Sequence, residues 1–500
     1  MSSEEVCDIA IIGSGSGAFA AAIQATKRGA SVVVIESGTL GGTCVNVGCV
    51  PSKIFIRAGH LAHLQRENPF HGLEPHEPVI DPVRHLAQQK SRVEELRQKK
   101  YADILATTPG IRLVEGQATF IDPVTLLVRP CFKGFEERRV RAGKILIATG
   151  SHAFIPDILG LKGSPYWTST EALQSGEIPQ RLVILGGSVI ALELGQAFAH
   201  FGSKVTVIAR STLLSAEDRE VGSQLESIFH SEGIQVLTHT VPHAVTFDNG
   251  KFSVDVGEGR SPIECERLLL AAGREATTSD LNLTAIGVNT DAAGRIIVDR
   301  YLRTSVPHIY AVGDCTTLPQ YVYVAAAGGT RAAINMLGGH APLDLGILPK
   351  VVFTTPQVAT IGLSEQEAIA RGEAYEARTL PMGAVPRALA NFDERGMVKL
   401  IAAKGSRRLL GAHIVAENAG DMIQTVAMAM KGNLTVQDLS ATLFPYLTGV
   451  EGIRLCAQIF STDVAKLSCC ADGDVEEESP SAGRDAPCGV AHACCSKGGH

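Results

Sequence analysis

Short apolar runs, most of which contain or precede a glycine at their end, recur along the first two thirds of the chain, and stretches with helical spacing of apolar positions lie between them. The runs occupy 8–12, 32–36, 144–150, 182–187, 204–210, 268–274 and 309–314. Runs of this length bounded by glycine are typical of buried parallel strands, which helices cover on both faces. From residue 346 the pattern changes to β-branched residues around Pro356, followed by helical periods at 421–431 and 450–460. The pattern predicts an α/β fold followed by a separate α+β domain.

The first run leads into a glycine turn with the spacing of a dinucleotide-binding unit. Gly13 makes the tight turn, Gly15 lets a pyrophosphate approach the backbone, and Ala18 allows close contact of helix and sheet. The anion is expected at the helix N-terminus. Glu36, at the end of the second strand, is placed to accept a hydrogen bond from a ribose hydroxyl. Strand, glycines, helix, strand and acid in this order predict a Rossmann-like domain.

A second unit of the same kind begins at Gly186, with Ser188 in place of the middle glycine. Its second strand is expected to end at Arg210, where the first unit has an acid. A cation followed by the hydroxyl of Ser211 suits a 2′-phosphate. The second unit is therefore predicted to bind NADPH. A second cation expected one turn later is Ala216 instead, which leaves the strictness of the preference over NADH open.

The segment 41–53, Gly-Gly-Thr-Cys-Val-Asn-Val-Gly-Cys-Val-Pro-Ser-Lys, places two cysteines close to the first nucleotide site. Cα atoms five residues apart on a straight helix are about 8–9 Å apart, whereas a disulfide bridges at most about 7 Å. If Cys44 and Cys49 pair, the backbone must therefore be distorted, and the neighbouring glycines allow this. A dithiol beside a dinucleotide is typical of electron transfer from flavin to sulfur. Two nucleotide units and a dithiol imply one FAD and one nicotinamide.

Composition excludes several classes of partner. With a formal charge of −7 over 500 residues and no long basic stripe, the chain is not expected to bind nucleic acid or an anionic membrane. Its acidic start lacks the core of a signal peptide, and no apolar run approaches the roughly 20 residues that span a bilayer. We therefore expect a soluble, cytoplasmic protein. The isolated cysteines are expected to act as small hydrophobes: Cys7, Cys131, Cys265, Cys315 and Cys456.

Together these motifs resemble the flavin- and nicotinamide-dependent disulfide reductase superfamily over about residues 5–470. The resemblance implies two Rossmann-like domains and an α+β dimer-interface domain. The implied order is a FAD-binding domain with the redox dithiol (1–155), an NADPH-binding domain (156–275), a central FAD-binding segment (276–345) and a dimerisation domain (346–470).

The same resemblance assigns roles to individual residues. Cys49 is expected against the flavin as a thiolate, and Cys44 is expected to face the substrate. Lys53 is expected near the reactive ring nitrogen, paired with Glu193, and Asp314 on the ribityl chain. Further cofactor contacts are expected from residues of the glycine-containing turns, namely Gly42, Thr43, Thr149, Gly150, Gly186 and Gly273.

One position near the C-terminus indicates which class of substrate the chain reduces. Members of the superfamily that reduce organic disulfides carry His-Pro there with a glutamate a few residues on, and the histidine protonates the leaving thiolate. This chain has Phe444 before Pro445, with Glu451 beyond, so disulfide reduction by that route would be slow. The mercuric reductases of the superfamily share this replacement and have a tyrosine after the proline, here Tyr446.

The resemblance to mercuric reductases extends to other residues. Cys469 and Cys470 match their vicinal cysteine pair, and Tyr101 matches a second tyrosine of their substrate pocket. Thiolates are soft ligands that select soft metals. The resemblance implies a homodimer in which the vicinal pair of the partner subunit hands Hg(II) to the dithiol while both tyrosines stabilise the ion. The implied activity is NADPH-driven reduction of Hg(II) to elemental mercury, a detoxification.

Two other functions stay open at this stage. A dihydrolipoyl or other disulfide reductase is disfavoured by Phe444. A metal-sequestering flavoprotein without turnover is disfavoured by the complete set of dithiol, Lys53, Glu193 and Asp314. The chain starts directly at the flavin strand, without the small Cys-x-x-Cys domain of many mercuric reductases. Hg(II) is therefore expected from small thiols, from a metallochaperone or from the chain's own tail.

The tail itself, 471–500, is rich in acidic residues, glycine, serine and alanine, and is expected to be disordered. It adds Cys488, Cys494 and Cys495. Two interpretations are equally open: a flexible thiol arm that captures metal, and an extension without a role.

Overall fold

The computed structural model describes residues 4–131, 136–257 and 259–464. The predictions for Cys469, Cys470 and the 471–500 tail concern residues outside these ranges. Over the described part of the chain, no helix is both long enough and apolar enough to cross a membrane.

The first part of the chain folds around a mixed sheet whose central strands are parallel. Its elements are β1 (Glu4–Ile12), α1 (Ser16–Thr26), β2 (Val32–Glu36), α2 (Gly42–Asn46), α3 (Cys49–Arg66), α4 (Pro82–Arg97), α5 (Asp103–Thr107), β3 (Ile111–Glu115), β4 (Gln117–Asp122), β5 (Thr125–Arg129), β6 (Arg138–Ile147) and β7 (Ser151–Ala153). The strand order is β3-β2-β1-β6-β5-β4. Because β1, β2 and β6 run parallel, their carboxyl ends meet at one edge, where the predicted glycine turn begins.

The second part contains a smaller parallel sheet. Its elements are α6 (Ser169–Gln174), β8 (Arg181–Leu185), α7 (Val189–His200), β9 (Lys204–Ile208), α8 (Arg219–Ser231), β10 (Gln235–Leu237), β11 (Ala244–Asp248), β12 (Lys251–Asp255), β13 (Ile263–Cys265), β14 (Arg267–Leu270) and β15 (Arg274–Ala276). The parallel sheet has the order β10-β9-β8-β14, and β11-β12-β13 form an antiparallel sheet beside it. Strand β9 ends at Ile208, two residues before the predicted end at Arg210. Strand β15 pairs with β7, so an antiparallel ribbon joins the two parts.

The chain then returns to the first sheet. Strand β16 (Ile309–Ala311) pairs in parallel with β6, and α9 (Val322–Met336) follows it. Helix α9 packs very closely on α1, because a Cβ atom on Gly329 would lie only 1.9 Å from the carbonyl oxygen of Gly17. This close approach requires glycine at position 329.

The last described part is an antiparallel sheet covered by helices. Its elements are β17 (Lys350–Val352), β18 (Gln357–Gly362), α10 (Glu365–Ala370), β19 (Tyr375–Pro381), α11 (Pro386–Asn391), β20 (Met397–Ala403), β21 (Leu409–Ala416), α12 (Ala419–Lys431), α13 (Val436–Ala441) and α14 (Glu451–Gln458). The strand order is β17-β18-β21-β20-β19. The helical periods predicted at 421–431 and 450–460 are confirmed by α12 and α14.

Most of the isolated cysteines are buried, as predicted. Cys7, Cys265, Cys315 and Cys456 lie in the apolar cores. The prediction was wrong for Cys131, which is exposed because its thiol lies at the rim of the first sheet and donates to the carbonyl oxygen of Ser37 at 3.2 Å.

Candidate active site at the dithiol

The backbone between the two motif cysteines is broken, as expected if the two are able to pair. Helix α2 ends at Asn46, Gly48 has φ −125° and ψ −108°, and α3 begins at Cys49. A Cβ atom on Gly48 would lie 3.0 Å from the carbonyl oxygen of Thr43, so the tight loop favours glycine. The break brings the free thiols of Cys44 and Cys49 within hydrogen-bonding reach of each other.

The two thiols differ in acidity. The hydrogen bond from Cys44 lowers the pKa of Cys49 to about 7, and the nearby charge of Lys53 acts in the same direction against the effect of burial. The pKa of Cys44 is raised, because its proton is held in that hydrogen bond and its surroundings are largely desolvated. Cys49 is thus the thiolate of the pair near neutral pH, and Cys44 is the thiol.

Lys53, one turn after Cys49, is held by groups from two other parts of the chain. Its Nζ lies 2.8 Å from Oε2 of Glu193 on α7, and 4.6 Å from the centre of the Phe353 ring. Oε1 of Glu193 accepts a hydrogen bond of 2.9 Å from the backbone N–H of Phe353. The predicted pair of Lys53 and Glu193 is present in the structure, and Phe353 is a neighbour that the sequence did not indicate.

Asn46, between the cysteines, fixes the shape of the loop. Its Nδ2 donates to the carbonyl oxygens of Leu40 and Gly42, both at 2.9 Å, and its Oδ1 accepts from Nη1 of Arg97 at 3.1 Å. Helix α4 is thereby attached to the dithiol loop. Sequence reasoning missed this role, although an asparagine within a glycine-rich loop is a residue that often bonds to nearby backbone.

Tyr101 lies beside the dithiol on a π-helical turn, Gln98–Ala102, between α4 and α5. Its hydroxyl is 3.4 Å from Oγ of Ser16, and its ring contacts Phe19 edge-on with centres 4.7 Å apart. Burial raises the pKa of Tyr101, and the negative charge of the cysteine pair adds to the effect. The hydroxyl therefore remains protonated, able to donate a hydrogen bond near the sulfur atoms.

The glycine turn after β1 has the shape of a pyrophosphate cradle. Gly13 has φ +102°, and a Cβ atom there would lie 2.4 Å from the carbonyl oxygen of Ala148. Space in front of Gly15 is open, and a Cβ on Gly42 would touch the Gly15 backbone at 2.8 Å. No side chain caps the N-terminus of α1, so its first N–H groups are available to an anion. Ala18 is fully buried against the sheet.

Glu36 ends β2 at the edge of this cradle. Its carboxylate accepts hydrogen bonds of 2.6 Å from Ser14 Oγ and from the backbone N–H of Gly38. Ser14 Oγ in turn accepts from the backbone N–H of Gly41 at 3.0 Å. These bonds orient the carboxylate and leave it acceptor sites for a ribose hydroxyl. The residues present fit FAD.

Hydrogen bonds connect Asp314 to the antiparallel ribbon of β7 and β15. Ser151 Oγ donates to Asp314 Oδ2 at 2.9 Å and accepts from Arg274 Nε at 2.8 Å, while Arg274 Nη2 donates to the Ser151 carbonyl oxygen. Burial lowers the pKa of Arg274, against the attraction of Asp314. Ser151 and Arg274 therefore orient the carboxylate that was predicted to bind the ribityl chain, and sequence reasoning missed both. Gly150, Thr149 and Gly273 flank these two residues.

The second nucleotide turn repeats this geometry. Gly186 has φ +141°, and a Cβ atom there would lie 2.2 Å from the carbonyl oxygen of Ala271. The N-terminus of α7 at Ser188 also lacks a side-chain cap, which fits a second pyrophosphate. Arg210 is exposed just past the end of β9, at the same edge as this turn.

The loop that carries Phe444 and Tyr446 precedes α14 in the last part of the chain. Phe444 packs against the apolar core there, and Tyr446 is 58% exposed. Glu451 is buried, and its Oε2 has no hydrogen-bond partner among the described residues. Burial raises the pKa of Glu451. His413 is buried, and its Nε2 lies 3.1 Å from the carbonyl oxygen of Leu363.

Comparison with known proteins identifies the family. Residues 7–329 match the family model described as pyridine nucleotide-disulphide oxidoreductase, and residues 348–456 match the dimerisation domain of that family. The chain belongs to the pyridine nucleotide-disulphide oxidoreductase family. This confirms the predicted fold class and the use of FAD and NADPH as cofactors, and the dimerisation domain supports a homodimer.

Relatives within the family are similar over nearly the whole chain. Mercuric reductase of Shewanella putrefaciens is 52% identical over 470 residues, which are 94% of this chain and 84% of the relative. Mercuric reductase of Shigella flexneri is 53% identical over 468 residues, 93% of this chain and 82% of the relative. Among solved structures, a HOCl-induced flavoprotein disulfide reductase from Escherichia coli is 29% identical with a TM-score of 0.80, covering 90% of this chain and 99% of that one.

Proposed function

We propose that this chain reduces Hg(II) to elemental mercury with electrons from NADPH, and that it thereby detoxifies mercury. The observation that carries the proposal is the identity of 52–53% with mercuric reductases over 93–94% of the chain. The paired cysteines supply soft ligands for the ion, and the depressed pKa of Cys49 supplies a thiolate at neutral pH. An enzyme that depends on free thiols suits the reducing cytoplasm.

The chain's own residues bind the ion and set its surroundings. FAD, which the Gly13 turn, Glu36 and Asp314 would hold, would supply two-electron transfer from NADPH to the site of the dithiol. Cys44 gives up its proton, and together with the Cys49 thiolate it binds Hg(II) through two sulfur atoms. Lys53 stabilises the thiolate charge, and Glu193 holds the ammonium in place. The overall reaction balances as NADPH + Hg²⁺ → NADP⁺ + H⁺ + Hg⁰.

A proton relay for an organic leaving group is not part of this reaction. A thiolate that leaves a disulfide must be protonated, and histidine is the usual donor. A mercuric ion that accepts two electrons leaves as the neutral atom, without a proton. Phe444 at the acid/base position therefore does not slow Hg(II) reduction, whereas it slows disulfide reduction.

Delivery of the ion forms a further part of the proposal. Cys469 and Cys470 of the partner subunit would bind Hg(II) first and pass it to the dithiol by exchange of one thiolate at a time. Adjacent cysteines form an unstrained disulfide with difficulty, so a shared cation suits them. Tyr101, beside the dithiol, and the exposed Tyr446 would donate hydrogen bonds to sulfur during the exchange.

Substitution of the cysteines tests the proposal. We expect C44A and C49A each to lose NADPH-driven release of volatile mercury while they keep bound FAD. The matched control is C131A, which removes an exposed thiol that donates to Ser37 and takes no part in the proposed site. Mercury release at the unsubstituted rate in either dithiol variant would contradict the proposal.

Two assays on the unsubstituted protein separate the alternative functions. Rapid reduction of lipoamide or another small disulfide by NADPH would favour a disulfide reductase. Binding of Hg(II) without any oxidation of NADPH would favour a metal-sequestering flavoprotein. We expect slow disulfide turnover and rapid mercury-dependent NADPH oxidation.

A further inference from the structure

The contact between α3 and α7 that pairs Lys53 with Glu193 recurs seven residues further along both helices, where it gathers histidines. His60 and His63 on α3 face His200 near the end of α7. The His63 and His200 rings stack with centres 4.3 Å apart, and those of His60 and His200 are 6.2 Å apart. The proposed mercury chemistry uses none of these imidazoles.

A carboxylate completes the cluster. Glu232, just after the end of α8, places Oε2 3.1 Å from Nε2 of His200, and its side chain is only 6% exposed. The same Oε2 accepts from Nε2 of Gln196 at 2.8 Å, and Oε1 accepts from Nη1 of Arg395 at 2.7 Å. These bonds hold the carboxylate in one orientation toward His200.

Two carboxylates and two guanidinium groups lie around the cluster. Arg395 also forms two hydrogen bonds with the carboxylate of Asp393, so one guanidinium serves two carboxylates. The second guanidinium is that of Arg57, whose Nη1 lies 3.4 Å from Nδ1 of His60. The fixed orientation of the Glu232 carboxylate toward His200, and not an excess of negative charge, favours a cation here.

We propose that His63, His200 and Glu232 form a binding site for one divalent cation of borderline softness, of the Zn(II) or Co(II) class. Their ligand atoms all lie within 4.8 Å of one another. Two imidazoles and one carboxylate are a common set for such ions, with water in the fourth position.

The geometry around His200 already suits the ion. Two ligands of a tetrahedral zinc ion with bonds of about 2.0–2.1 Å are about 3.3 Å apart, and His200 Nε2 and Glu232 Oε2 are 3.1 Å apart. The ion replaces the proton between them. Arg395 and Gln196 then act as the outer partners that orient the ligating carboxylate.

One ligand must turn to join them. Because the stacked rings are nearly parallel, at 12°, one ion cannot lie in both ring planes. His63 is partly exposed, so its ring is free to rotate about the Cβ–Cγ bond, a soft torsion. An ion bound in this way ties α3, which carries Cys49 and Lys53, to α7, which carries Glu193, about 10 Å from that ion pair.

Cobalt absorption tests the site on the holoenzyme. The dithiol is first oxidised, so that it is not a ligand, and accessible thiols are alkylated with N-ethylmaleimide. We expect one equivalent of Co(II) per subunit to give d–d absorption without thiolate-to-cobalt charge-transfer bands, and Zn(II) to displace it. H63A and H200A should each weaken Co(II) binding at least tenfold. The matched control H152A removes an exposed histidine 3.6 Å from Glu275 and should bind Co(II) like the unsubstituted protein.

Other outcomes overturn the proposal. Absence of d–d absorption at one equivalent means that the cluster binds no ion. The same conclusion follows if H63A and H200A show the absorption of the unsubstituted protein. FAD content and the rate of flavin reduction by NADPH show whether each variant is folded. If H200A loses FAD, the test uses H63N instead, because His63 is partly exposed and its substitution should leave FAD content intact. Unchanged Co(II) binding in H63N would then show that His63 has only a structural role. Failure of the cobalt test leaves the mercury assays unaffected, since those use other residues.

Discussion

Nζ of Lys53 lies 2.8 Å from Oε2 of Glu193, across the contact between α3 and α7 and one turn from Cys49. Through this pair, the second nucleotide-binding part of the chain acts on the acidity of a cysteine in the first. Glu193 is buried and also accepts from the Phe353 backbone, so the dimerisation domain takes part as well. The position of one ammonium group thus depends on all three parts of the fold.

Removal of the Lys53 charge is expected to raise the pKa of Cys49. Lys53 is one of the groups that lower the pKa of Cys49 to about 7, and loss of a nearby opposite charge shifts a pKa by about one unit. The thiolate–flavin charge-transfer absorbance of the two-electron-reduced holoenzyme should therefore disappear as pH falls through about 7, and in K53M at a pH about one unit higher. K53R is the control that keeps the charge. A midpoint in K53M equal to or below that of the unsubstituted protein would contradict this account.

Arg210 is expected to set the preference for NADPH. A charge-assisted bond to phosphate is worth roughly 1.5–3 kcal/mol, so R210A should lower kcat/KM for NADPH by about tenfold or more. The value for NADH should be almost unchanged, because NADH lacks the 2′-phosphate. K204A, at the opposite end of β9, is the control. Equal losses with both nucleotides in R210A would show that Arg210 does not recognise the phosphate.

An ion cluster around a buried lysine joins the second part of the chain to the dimerisation domain. The side chain of Lys399 is 1% exposed. Its Nζ lies 3.0 Å from Oδ1 of Asp218 and from Oε1 of Glu220, and 2.5 Å from Oε2 of Glu365. K399M leaves the fully buried Asp218 without its cation and should lower the free energy of unfolding by about 3–5 kcal/mol.

The control for that prediction is the more exposed pair of Lys350 and Glu217. K350M should cost about 0–1 kcal/mol. Urea denaturation of the holoenzyme, followed by ellipticity and flavin fluorescence, measures both effects. Similar losses of unfolding free energy in K399M and K350M would contradict the prediction that burial of Lys399 and Asp218 causes the larger loss.

Glu451 should make stability depend on pH. Burial raises its pKa, so the folded state binds its proton more tightly than the unfolded state does. Its contribution to stability is therefore full below the unfolded pKa and is lost as pH rises through the folded pKa. E451Q removes this loss and should melt about 1–2 °C higher at pH 8, with no difference at pH 4.

The exposed Glu373, in the same domain, supplies the control E373Q. That substitution should leave the melting temperature unchanged at both values of pH. A lower melting temperature of E451Q at pH 8 would show that the Glu451 carboxylate is stabilising when ionised.

Local sequence patterns predict much of the fold and of the site. Gly13, Gly15 and Glu36 could be assigned because a pyrophosphate cradle depends on neighbours within a few residues. The break between Cys44 and Cys49 followed from the reach of a disulfide, and the structure shows it at Gly48. The roles assigned to the site residues, and the four domain boundaries, stay predictions.

Contacts between distant segments could not be predicted in this way. Ser151 bonds to Asp314 across 163 positions, and Phe353 bonds to Glu193 across 160. Such pairs leave no periodic signal, because neither residue constrains the type of its neighbours along the chain. The cluster around His200 is of the same kind, since α3, α7 and α8 bring it together only after packing.

Mercury-dependent NADPH oxidation with collection of volatile mercury tests the central claim most directly. The holoenzyme is given Hg(II) with an excess of a small thiol, and both products are counted in the same vessel. The account predicts one atom of elemental mercury released for each NADPH oxidised, and no release without NADPH. Oxidation of NADPH at the same rate without Hg(II), or Hg(II) that stays bound while no vapour forms, would contradict it.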